Sequence, residues 1–65
     1  MDPIDINYLI KKSPIKSQAN IARKLKVQRQ TVNMVVHGKT KSRRIQRYIA
    51  KVVGIPTKDI WPNAA

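Results

Sequence analysis

Apolar positions along this chain fall into four short groups, each spaced for one face of a helix. Ile6, Leu9 and Ile10 form the first group, Ile21, Ala22 and Leu25 the second, and Val32, Val35 and Val36 the third. Ile45, Tyr48, Ile49, Val52 and Val53 then recur at i, i+3, i+4, i+7 and i+8, the cleanest amphipathic stretch in the chain. Residues at the group boundaries agree with this division. Asp2, Pro3 and Asp5 resemble a helix start, with a capping side chain, proline at the first helical position and an acid in the first turn. Ser13-Pro14 stops that helix, because proline lacks an N–H and restricts the residue before it. Ser17 caps a second helix running to about Leu25, and a third spans 28–37 and stops at Gly38, a residue suited to a left-handed turn. Ser42 is a plausible cap for the fourth helix, which Gly54 ends. Ile55-Pro56 opens a last short turn from which Ile60 and Trp61 fold back onto the core, before Pro62.

One segment reads two ways. Thr31, Val32, Val35 and Val36 are β-branched, and Val32, Met34 and Val36 alternate like a strand. The helical stripe Val32-Val35-Val36, with a clear helix before it and Gly38 after it, favours the helix. The expected fold is therefore all-α: a compact bundle of four to five short helices forming a single domain over residues 1–65.

The second and third groups are close enough to be joined by a tight turn, with Val27 as the one side chain the turn must bury. Ala22 is small where two closely crossing helices leave no room for a larger residue. Gln28, Arg29, Gln30, Thr31 and Asn33 lie between the apolar positions of the third helix. Such a polar face suits a helix-turn-helix that reads DNA in the major groove.

Charge strengthens that reading. Fourteen Lys and Arg against three acids give a net charge of +11, which calls for a polyanionic partner or a tolerance of self-repulsion. With no cysteine and one histidine, disulfides and a conventional structural zinc site are excluded, and no cofactor is implied. No apolar run approaches the ~20 residues that span a membrane, and acids precede the short N-terminal apolar patch, the reverse of a signal peptide. The expected location is cytoplasmic and nucleoid-associated. A chain of this size buries roughly 60% of its unfolded surface, so its stability should be on the order of 3–10 kcal/mol.

Arg29 can fork to guanine O6 and N7, and Gln28, Gln30 or Asn33 can bond adenine N6 and N7; otherwise these residues are a solvated helix face. Gln18 opens the second helix, where its amide and the free N–H groups can hold a phosphate or simply meet water. Lys39, Lys41, Arg43 and Arg44 gather in the basic loop and at the start of the fourth helix. There a cation opposes the helix dipole by ~0.3–1 kcal/mol, an arrangement that a phosphate among them would relieve. His37 suits a phosphate or solvent contact, and Tyr48 and Trp61 sit in apolar patterns that assign them to packing. The three acids, Asp2, Asp5 and Asp59, have no serine or histidine in a supporting context, so no enzyme activity is expected.

The segment QANIARKLKVQRQTVNMVVHG resembles the helix-turn-helix of the lambda-repressor-like, Cro/C1-type DNA-binding domains. The small size and the ending GIPTKDIWP are similar to Ner-like regulators of Mu-type phages and their bacterial relatives. The resemblance implies sequence-specific binding to operator DNA and repression, often in a phage or prophage switch. It also implies a role for Gln18 and for Gln28, Arg29, Gln30, Thr31 and Asn33, with Lys39 and Lys41 meeting phosphate. One departure is Lys26, which stands where the family's turn usually has glycine; either Lys26 carries a left-handed conformation or the turn differs.

The leading expectation is thus a double-stranded DNA-binding transcriptional regulator with no small-molecule substrate and no membrane association. Pairing would be limited to a weak homodimer or to monomers meeting on DNA. Two other readings are a DNA-binding antitoxin or excision-control protein and a non-specific RNA or nucleoid polyanion binder. A membrane-active peptide would need one continuous basic helix, which Pro14, Gly38, Gly54 and Pro56 interrupt.

Overall fold

A computed structural model describes residues 1–62 and contains α1 (Pro3–Lys12), α2 (Gln18–Leu25), α3 (Arg29–Val36), α4 (Arg43–Val53) and α5 (Thr57–Ile60), with no strand among those residues. The all-α expectation holds, and the two-way segment is helical. Val32, Val35 and Val36 are buried on one side of α3 while Met34, which a strand would have placed with them, is exposed. The third helix is shorter at both ends than 28–37: Gln28 is its extended N-cap and His37 its C-cap.

The starts of α2 and α4 are capped as their serines predict. Ser17 Oγ accepts from the Asn20 N–H at 3.2 Å, and Ser42 Oγ faces the Ile45 N–H at 3.5 Å. At α1 the expectation is only half met. Asp2 occupies the N-cap and Pro3 follows it, but the Asp2 carboxylate makes no capping bond; only its carbonyl joins the helix, accepting from the Ile6 N–H. Ser13 ends α1 in the extended conformation that a following proline enforces. Its hydroxyl donates to the Ile10 carbonyl at 2.6 Å, which lets a serine be buried there.

Three helix ends close in the same way. Past α2, α3 and α4, an N–H reaches back five residues to a carbonyl: Val27 to Ala22, Lys39 to Met34, and Ile55 to Ala50. Each closure needs a left-handed residue. Gly38 (φ 73°) and Gly54 (φ 76°) supply two of them, and Lys26 (φ 58°, ψ 44°) supplies the third. Lys26 therefore carries the strain, and the turn is an ordinary one. A left-handed non-glycine residue costs about 1–2 kcal/mol, and the extra freedom of glycine in the unfolded chain returns about half of that. Lys26→Gly is expected to raise stability by about 0.5–1 kcal/mol, or roughly 4 °C in the thermal midpoint. Circular dichroism melts would check this; an unchanged or lower midpoint would mean that the Lys26 side chain compensates for its backbone.

The core is assembled from every helix: Ile6 and Ile10; Ile21, Ala22 and Leu25; Val32, Val35 and Val36; Ile45 and Ile49; Ile60, with Trp61 just beyond it. Val27, Tyr48 and Val53 pack on its margin, and Leu9 and Val52 are half-buried. Gln46 is buried, which the apolar stripe of α4 did not foretell. Trp61 closes the base of the core and donates its indole N–H to the Val35 carbonyl at 3.0 Å, bracing the last turn of α3 from behind. No helix is long and apolar enough to cross a membrane among the described residues.

Candidate nucleic-acid interface

α2 and α3 are each eight residues long, are joined by the three residues Lys26–Gln28, and pack more closely on each other than any other helix pair. This packing turns the outer side of α3 and the first residues of α2 toward the same open groove. Gln18, Arg29, Gln30 and Asn33 all line it. The pairing follows from local chemistry: Ile21, Ala22 and Leu25 face Val32 and Val35 inside, so the polar residues between them must face out.

The far wall of the groove holds residues that sequence reasoning missed: Asn7 and Lys11 of α1, and Lys16. Asn7 and Lys11 are four apart and share a face of α1, a signal visible in the sequence but with no reason to connect it to α3. Gln18 donates from Nε2 to the Asn7 Oδ1, which engages one of its two amide N–H groups and leaves the second for an acceptor outside the fold. Lys16 is fixed by an unusual turn. Its φ is 74°, the Ser17 N–H bonds the Ile15 carbonyl at 2.9 Å, and Asn20 Nδ2 donates to that same carbonyl at 2.7 Å. Nothing in the residue identities announced that turn. The charged groups lining the groove are Lys11, Lys16 and Arg29, all cations, with no acid among them.

The other candidate residues lie elsewhere. Gln28 is exposed at the N-cap of α3 with its side chain free of any capping bond, and Thr31 is half-buried on the helix flank. His37, Lys39 and Lys41 are exposed past the end of α3, and Arg43 is exposed at the start of α4. Arg44 stands apart from these. Its guanidinium donates to the Leu25 carbonyl at 2.9 Å, tying the start of α4 to the end of α2. That bond makes Arg44 a brace for the Lys26–Gln28 turn, with only its remaining N–H groups available to an anion. No group of three or more His, Cys, Asp or Glu residues that would hold a metal occurs among the described residues.

No family model, curated protein or solved structure matches this chain. The case for a function therefore rests on the geometry and charge of these surfaces.

Proposed function

We propose that the protein is a sequence-specific double-stranded DNA-binding regulator of transcription in which α2 and α3 act as a helix-turn-helix. The observation that carries this reading is the groove itself. The start of one short helix and the outer face of the next converge there, offering amides and cations and no acid. With its side chains an α-helix is about 10–12 Å across, which fits a major groove about 12 Å wide.

Arg29 is the first residue of α3 and is exposed, where recognition helices meet base edges. In this role it forks to a guanine, while Gln30 and Asn33, and Gln28 from the N-cap, offer amides to neighbouring bases. Gln18, held by Asn7, presents its second amide N–H and the free N–H groups of α2 beside the backbone. Lys11, Lys16, Lys39, Lys41 and Arg43 supply phosphate contacts that position the helix without reading sequence. A bound operator would be closed to polymerase, which makes repression the simplest outcome, in the nucleoid of a bacterial or phage-infected cell.

Arg29→Ala is expected to weaken binding to the preferred site by about 1–3 kcal/mol while leaving affinity for random duplex nearly unchanged. Fluorescence anisotropy on the two duplexes measures both; equal losses would reduce Arg29 to a phosphate contact. The reading as a whole is tested by selecting bound duplexes from a random library at near-physiological salt with competitor RNA present. One enriched motif is the expected result. Binding without enrichment that vanishes as salt rises would leave a non-specific polyanion binder.

A further inference from the structure

The outer face of α1 has no partner in the fold, although it carries apolar side chains. Ile4 is 81% exposed and Tyr8 55% exposed, one helical turn apart on the side opposite the buried Ile6 and Ile10. A β-branched residue as exposed as Ile4 is a poor choice for a solvated helix position, and with Tyr8 one turn away it makes a patch rather than scatter. Charges flank the patch in a definite order. Asp5, one of only three acids in a chain of net charge +11, lies toward its N-terminal end. Lys12 lies toward its C-terminal end, with its Nζ 4.9 Å from the Tyr8 ring centre.

We infer that this face docks a second copy of the chain, with the two α1 helices antiparallel across a two-fold axis near Tyr8. An acid at one end and a cation at the other make the face complementary to itself under that operation, which closes into a dimer because a two-fold axis sets each patch against its own copy. Asp5 of each chain then meets Lys12 of the other, and Ile4 packs beneath the Tyr8 ring and Lys12 stem of its partner. The contact is small. Stable interfaces bury about 1,200 Å² or more, which one face of a three-turn helix does not reach, so the free protein pairs weakly.

Around α1 the patch lies beside Asn7 and Lys11, which line the groove, about a sixth of a turn away. This step rests on the DNA reading above: two chains with α3 against neighbouring half-sites would present these faces sideways to each other. Tethering on one duplex then raises their effective concentration enough for a weak contact to matter.

The first test needs no DNA. Sedimentation equilibrium of the full chain in about 0.3 M salt screens the +11 repulsion beyond roughly 5–6 Å while sparing contact pairs. Wild type is expected to show a monomer–dimer equilibrium, and Ile4→Ala with Tyr8→Ala, a pair that keeps good helix formers at exposed positions, weakens it at least about tenfold. Asp5→Lys and Lys12→Asp should each weaken it up to about fivefold, and the two together should restore it to near the wild-type value. Helical circular dichroism accompanies every variant. A wild type that stays monomeric, a dimer indifferent to the alanine pair, or a folded double swap that fails to recover association each overturns the proposal. On duplexes, the alanine pair should abolish cooperative filling of two adjacent sites and leave single-site affinity unchanged. Absence of any DNA binding would end the regulator reading and leave the solution result standing.

Discussion

Trp61→Ala is expected to lower the unfolding free energy by about 3–5 kcal/mol, much of what a domain of this size possesses. Two losses combine. The ring is 8% exposed and its removal leaves a cavity against Ile60 and the end of α3. The indole N–H also leaves the Val35 carbonyl, which it holds at 3.0 Å. Trp61→Phe separates the two terms. It keeps most of the apolar volume and drops the hydrogen bond, for an expected cost of about 1 kcal/mol plus some repacking. Urea unfolding followed by circular dichroism gives both values. A Trp61→Ala chain within about 1 kcal/mol of wild type would mean that α5 is an appendage and that α3 needs no brace.

Raising salt from 50 to 200 mM should weaken DNA binding about 500-fold. Five cations are positioned to meet phosphates: Lys11 and Lys16 around the groove, and Lys39, Lys41 and Arg43 beyond the end of α3. If all five do so, log K falls against log salt with a slope of about −4.5. Arg44 is left out of that set because its guanidinium serves the Leu25 carbonyl. The two neighbours should therefore behave differently. Arg43→Ala is expected to flatten the slope by about one and leave stability alone, whereas Arg44→Ala should loosen the turn between α2 and α3 and show first in the melting curve. A slope near −2 would confine the contact to a few residues, and equal effects of the two arginines on slope would cancel the structural role assigned to Arg44.

Much of the fold was legible because the information was local. Ser17, Ser42, Gly38 and Gly54 act within a few residues of themselves, and the stripes on each helix need only a period of 3.6. What was not legible depends on contacts between distant segments or on backbone states that a residue's identity does not reveal. The α1 wall of the groove is of the first kind, since Asn7 reaches Gln18 only once the bundle has formed. The bond from Arg44 to Leu25 is another, so a basic residue that reads as a phosphate contact is partly spent on the scaffold. Lys16 and Lys26 are of the second kind: lysine is an improbable left-handed residue, and only the resemblance of the turn sequence hinted at Lys26. The groove-lining faces of α2 and α3 were readable because their apolar partners fixed which side must point outward.

The strained turn at Lys26 also bears on how fast the molecule assembles. Its helices are short, and the closest pair is adjacent in sequence, the kind of topology that folds in microseconds to milliseconds. α2 and α3 cannot dock until Lys26 has crossed to positive φ, so the strain is met before most of the core is gained. The torsion itself turns within about nanoseconds, so its cost of about 1–2 kcal/mol acts by thinning the share of chains ready to dock, at the hinge between the two helices proposed to read DNA.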